Sequence, residues 1–158
     1  MKNFIWVAVA MLGLVNVACD DPPAGVSLIN SASSIAPSGR FSPNPIALSP
    51  LTPCFGGSVF STSVDFIVTA GVQDLTLDSV TVHLLDGSNV GGSSVRIPAT
   101  EFAAGTATTL VRAGTTRDFS LRPTFACFAG RPFFMRGSAL LFDSQRIPHT
   151  VAVAGRVQ

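Results

Sequence analysis

The 158-residue chain is 47% hydrophobic and 12% charged, with 12 Phe, no Tyr, one Trp, three Cys and a net charge of +1. A charged fraction about half the usual quarter excludes a disordered or coiled-coil chain, and a near-neutral body excludes one basic enough to coat nucleic acid. The length allows one domain of ordinary size.

Met1-Lys2-Asn3 places a positive charge before the apolar run Phe4–Val15, which leads through Asn16-Val17-Ala18 to Cys19. Charged, then apolar, then small is the order of a secretory signal. As a helix the run rises roughly 18 Å, short of a bilayer core of about 30 Å, so residues 1–18 read as a signal peptide rather than a transmembrane span. Ala18-Cys19 resembles the bacterial lipoprotein signal, in which a small residue precedes an invariant Cys. The resemblance implies cleavage before Cys19, lipidation of Cys19 and a membrane anchor of buried methylenes. Ordinary cleavage at the same place would release a soluble periplasmic or secreted product. With Cys19 assigned to lipid, Cys54 and Cys127 remain, and the two can pair in an oxidising compartment. Closing a loop of that length is worth about 4 kcal/mol in the chain-entropy treatment. A metal site on these two Cys lacks His or Cys neighbours at ligand spacing.

Residues 19–45 read as a Pro/Ser-rich linker, a disordered stalk between anchor and domain. Val26–Asn30 and Ile46–Leu48 are candidate short edge strands. From Gly57 the pattern turns to period two, with Phe60, Thr62, Val64, Phe66, Val68 and Ala70 on one face. Leu75 and Leu77, then Val80, Val82 and Leu84, form a second strand whose parity switches at Asp78-Ser79, the mark of a β-bulge. Asp86-Gly87 ends it, and Gly87–Ser94 reads as a loop. Residues 95–104 read as an irregular connection with a helical turn at Thr100–Ala104. This keeps the strands beside Cys54 and Cys127 antiparallel, as a disulfide would need. Thr108–Arg112 is a short strand and Ala113–Thr116 a turn. Phe119, Leu121, Pro123, Phe125 and Cys127 share a face of the next strand. Phe133–Phe142 and Ile147–Val157 form a hairpin around Asp143-Ser144-Gln145-Arg146.

These elements predict an all-β fold, a single antiparallel β-sandwich of about seven strands over residues 46–158. The strand rhythm of residues 45–158 resembles an immunoglobulin-like or fibronectin-type sandwich. Phe takes over the large-aromatic packing, since the core Trp and tyrosine corner of antibody domains are missing.

No catalytic set emerges. His83 falls on an outward face and His149 at a core edge. No Gly-x-Ser-x-Gly elbow occurs. Asp74, Asp78 and Asp86 read as turn residues. Asp86-Gly87-Ser88-Asn89 lacks the further oxygen ligands of a calcium loop. No cofactor and no metal is expected. Charge is divided unevenly: residues 19–104 hold seven acids and two Arg, a net of −5, whereas residues 105–158 hold seven Arg and two Asp, a net of +5. Arg112, Arg117, Arg122, Arg131, Arg136, Arg146 and Arg156 are therefore candidates for a patch binding an anionic ligand. The competing reading is cross-strand pairing with the acidic half. The sequence thus predicts a non-catalytic module exported to the cell envelope, anchored at Cys19, and binding a protein or anionic glycan but no nucleic acid. The alternatives are a small secreted hydrolase and a strand-exchanging assembly or chaperone subunit. Intact mass of the mature protein is expected to show a chain starting at an acylated Cys19 and lacking two hydrogens at Cys54 and Cys127; an unmodified Cys19 would return the chain to the soluble exported class.

Overall fold

The computed structural model describes residues 36–103 and 108–158. The signal segment, Cys19, most of the linker and Val26–Asn30 lie outside the described residues. The fold is all-β with antiparallel sheets, and its strands are β1 (Ser38–Ser42), β2 (Ser49–Cys54), β3 (Gly57–Ser61), β4 (Val64–Thr69), β5 (Leu75–Leu85), β6 (Gly91–Pro98), β7 (Leu110–Val111), β8 (Thr116–Leu121), β9 (Thr124–Ala129), β10 (Phe134–Phe142) and β11 (Pro148–Arg156). One short helix, α1 (Ala99–Ala103), follows β6. The strands form three ladders, ordered β1-β4-β8, β2-β3-β9 and β11-β10-β5-β6, with β7 also on β5.

The first two ladders continue one another. Ser61 pairs with Thr124 and Val64 with Leu121, so only Thr62-Ser63 and Arg122-Pro123 interrupt the run. The third ladder packs face to face on them. At Gly137 in β10 an added Cβ would lie 2.6 Å from the Phe41 ring and 2.8 Å from the Phe66 ring. Those two rings meet edge to face at 5.4 Å. One buried cluster joins all layers, including Phe66, Phe119, Phe125, Leu75, Leu77, Val80, Val82, Leu84, Met135 and Leu141.

The expected bulge is present. Leu140 pairs with Ser79 and Leu141 with Leu77, so Asp78 is the extra residue of β5. Leu75 and Leu77 thereby face the same core as Val80, Val82 and Leu84. Ser79, buried by this shift, donates its hydroxyl to Asp78 Oδ2 at 3.0 Å and accepts from Arg96 at 3.2 Å.

Between β1 and β2 the chain leaves its ladder. Residues 43–48 cross to β11, where Ile46 forms a parallel bridge with Val157. The Ile46 amide donates to the Arg156 carbonyl at 2.7 Å, and the Gln158 amide donates to the Ile46 carbonyl at 3.0 Å. Ile46 is fully buried, and Thr62 Oγ1 donates to the Ala47 carbonyl at 2.7 Å. The peptide bonds before Pro43 and Pro45 are cis.

Several expectations change. Ser38–Ser42, counted with the linker by composition, is a strand that pairs with β4 and buries Phe41. One inward ring and a ready partner outweigh the local Pro and Ser content. Residues 91–98 are a continuous strand on β5, so neither the loop through Ser94 nor the irregular stretch from 95 holds; the helical turn at Ala99–Ala103 does. β3, which follows Cys54, and β9 are antiparallel even so, because β7 continues β6 along the same edge of β5 and adds no crossing; Cys54 itself ends β2, which runs parallel to β9. Cys127 does not share the face of Phe125. Ser58 pairs with Phe128 and Phe60 with Phe125, a second register shift that turns Phe128 inward and Cys127 out. The Cys54–Cys127 disulfide spans a Cα–Cα distance of 5.9 Å between β2 and β9, the two strands flanking β3.

Gly137→Ala tests the packing. Both rings under Gly137 are confined, so overpacking is expected to cost about 1–3 kcal/mol in denaturant unfolding; an unchanged midpoint would mean that the layers are not this close.

Candidate functional site

The register of the four-stranded ladder decides which side chains share its outer face. Arg136 stands opposite Ala154 on one side and His83 on the other, and His83 opposite Ser94. The next row holds Ala152, Ser138, Thr81 and Arg96. In the row at the far end Phe134 stands between Arg156 and Leu85. Arg96, Arg136, Arg156 and His83 are exposed on this face, whereas Met135, Gly137 and Ala139 between them point into the core.

Two shallow depressions flank Phe134. One, about 500 Å³, is lined by Asn44, Pro45, Phe134, Ala154, Gly155 and Arg156. The other, about 340 Å³, is lined by Leu85, Asn89, Phe134, Arg136 and Ala154. Asn44 Oδ1 accepts the Arg156 backbone N–H at 3.2 Å, and Asn89 Oδ1 accepts from Arg136 Nη2 at 3.2 Å. Phe133, 48% exposed, lies with its ring centroid 5.8 Å from that of Phe134.

Of the seven Arg singled out by sequence, only Arg136 and Arg156 meet here. Arg117 donates to the carbonyls of Thr108 and Leu110 at 2.6 and 2.9 Å, fastening the segment before β7 to β8. Arg112 ends its strand at the Ala113–Thr116 turn, Arg131 lies in the β9–β10 turn, and Arg146 sits at the tip of the β10–β11 turn. Arg122 lines a separate depression of about 610 Å³ between β6, α1 and β8–β9, together with Arg96, Glu101, Phe102, Asp118 and Ser120. Arg96, which belongs to the acidic half of the sequence, joins the outer face instead. Strand parity over residues 91–98 carries that signal. Its ion pair with Asp78, 3.2 Å long and well exposed on both sides, is worth little in water.

Asp86 and Asp143 are engaged in turns, whereas Asp78, expected in a turn, is the bulge residue within β5 and meets Arg96 and Ser79. Asp86 Oδ1 accepts the N–H groups of Ser88 and Val90, and Asp143 Oδ1 those of Gln145 and Ile147. In each turn the residue three positions on, Asn89 or Arg146, takes a φ near +60°. The two hairpins therefore end in the same local structure at opposite ends of the fold. Asp74 Oδ1 accepts the Ala113 N–H at 2.7 Å. Among the described residues no group of three His, Cys, Asp or Glu converges on one point.

His83 is exposed, and His149 lies at the core edge as its parity predicts. His149 Nε2 is 3.3 Å from Asp143 Oδ2 and 2.8 Å from the Gln73 amide nitrogen. A protonated Nε2 donates to Asp143; a bare one accepts from Gln73. The Gln73 contact ties this hairpin to the loop between β4 and β5, whereas the Asp143 contact stays within the hairpin. Among the described residues no Ser hydroxyl bonds to either His.

No family model matches this chain, and no curated protein matches it. Solved structures that resemble it include the following two. The Northeast Structural Genomics Consortium target SoR45 superposes with a TM-score of 0.54 at 11% identity, over 77% of this chain and 86% of that one. The putative ApaA protein from Bordetella pertussis gives a TM-score of 0.40 at 15% identity, over 77% of this chain and 97% of that one. The likeness to SoR45 is one of fold. The Cys54–Cys127 disulfide suits an oxidising, exported location, and among the described residues no helix is long and apolar enough to cross a membrane.

Asp143 supplies a pH test. The Ile147 N–H holds its carboxyl below the ordinary value of 3.8, helped by His149 and the Gln145 N–H and opposed by burial. A carboxyl lowered in the folded state stabilises the fold above its ordinary value and loses that contribution as pH falls through the folded one. Asp143→Asn is expected to flatten the acid limb of stability against pH, read from denaturant midpoints; an unchanged limb would remove Asp143 from it.

Proposed function

We propose that this chain is a non-catalytic binding module of the cell envelope, exported, anchored by lipid on Cys19, and recognising an anionic ligand through the outer face of its four-stranded ladder. The basic cluster around Phe134 carries the reading. Arg136, Arg156, Arg96 and His83 share that face, and Asp78 is the acid paired there, with Arg96. Cations gathered on a rigid sheet attract an anion with no backbone to order, leaving only the side-chain ordering cost.

The fold reading is that of a seven-strand sandwich of immunoglobulin-like or fibronectin type. β1 with β2, β3 with β4, β6 with β7 and β8 with β9 each act as one interrupted strand. The result is a three-stranded layer facing the four-stranded one. The antiparallel pairing on either side of residues 62–63 supports this, as does β7 following β6 along β5. The domain then begins at Ser38, and the stalk is shortened to residues 19–37.

A strand-accepting role is the second reading. β6 and β8 each end a ladder and border the depression of about 610 Å³, with Ile97 and Phe119 buried beside it. An exposed ladder end is a template for an added strand. The polar, Pro-ended sequence of β6 makes it the weaker of the two.

Retention of the mature protein on a dextran sulfate matrix tests the first reading. Binding is expected at low salt and lost with added salt. Arg136→Glu with Arg156→Glu should weaken it by about tenfold or more. Absence of retention at low salt would refute an anion-binding face.

A further inference from the structure

Resting on the anion-binding reading, we infer that the ligand is a linear acidic polysaccharide, with two consecutive sugars on the two sides of Phe134. The two depressions are chemically alike. Each holds one exposed guanidinium, Arg156 or Arg136. Each holds one Asn whose Oδ1 is already bound by a protein N–H, leaving the amide NH₂ free to donate. Both share the Phe134 ring and the Ala154 methyl. A site built twice from the same groups fits a ligand that repeats.

The register sets the spacing. Phe134 is directly opposite Arg156, and Arg136 lies diagonally from it across the β10–β11 pair. Diagonal neighbours on one sheet face stand roughly 7–8 Å apart, within reach of long side chains. Small Ala152 and Ala154 keep the surface low beside the ring. A sugar ring laid on Phe134 would present its apolar C–H face to the aromatic ring and its hydroxyls to the Asn amides. Its carboxylate would meet a guanidinium, the planar two-donor partner that suits it. An acidic peptide would satisfy the two Arg, and its carbonyls the amides, but it offers no flat C–H face to lay on the shared ring.

The experiment compares polygalacturonate, neutral dextran and poly-L-glutamate by affinity electrophoresis of the full mature protein at low salt. Polygalacturonate is expected to retard the protein more than poly-L-glutamate at matched charge, and dextran not at all. Phe134→Leu, which keeps an apolar side chain over Leu85, should weaken polygalacturonate binding by about tenfold and leave poly-L-glutamate nearly unchanged. Asn89→Gly keeps the turn conformation and removes one amide together with its contact to Arg136, and should weaken polygalacturonate by a few-fold more than poly-L-glutamate. Equal retardation by the two acidic polymers, or no effect of either variant on polygalacturonate, overturns the polysaccharide assignment and leaves an anion-binding face standing. If neither acidic polymer retards the protein, both readings fall.

Discussion

Asp78 lets β5 bury Leu75 and Leu77 at one end and Val80, Val82 and Leu84 at the other against a single core. A strand alternates faces with period two, so eleven residues in strict alternation could not bury both sets. The extra residue resets the phase. β10, paired along its whole length, then keeps Met135, Gly137, Ala139 and Leu141 inward. The outward residues follow by the same rule, and Arg136 and His83 come to stand side by side. The candidate site is thus a consequence of how the core is phased. A second shift does the same in β9, where Phe128 goes in and Cys127 comes out to meet Cys54.

Close approach of the layers depends on missing side chains as much as on large ones. Gly137 receives the edges of Phe41 and Phe66, and an added Cβ at Gly155 would lie 2.7 Å from Ile46. The segment carrying Ile46 crosses between the ladders and pairs with the free edge at the end of β11. Pro50 and Pro53 lie in β2, which ends its own ladder, and proline removes the donors that an added strand would need. The same crossing segment brings Asn44 to Arg156, so closing the fold also completes one half of the candidate site.

Much of this was legible in sequence. Alternation around Phe66 and Val82, the bulge at Asp78, the hairpin at Asp143–Arg146 and the pairing of Cys54 with Cys127 all rest on short-range pattern or counting. Two features were not. Gly91-Gly92-Ser93-Ser94 reads as loop because it has little strand propensity, and residues 95–98 read as irregular because a further crossing would set the strands beside the two Cys parallel; pairing along β5 overrides both. Ser38–Ser42 reads as linker because Phe41 is its only large apolar residue, and the cavity that receives its ring is made by β4 and β10. The seven Arg do not share one face: Arg117 is bound to the carbonyls of Thr108 and Leu110, Arg122 lines a separate depression, and Arg96 joins the outer face because a strand lies where none was expected.

By itself the sequence determined the all-β class and the phase of most strands, which follow from alternation among a few neighbouring residues, and the disulfide partners, which follow from counting the Cys. It also carried the signal-like opening and the surplus of Arg in its second half. Which Arg stand together, and around which ring, was decided only by tertiary structure. That choice depends on register between strands far apart in the chain. Register is set by core packing and by single-residue shifts in several strand pairs, and it is paid for in contacts that no local window contains.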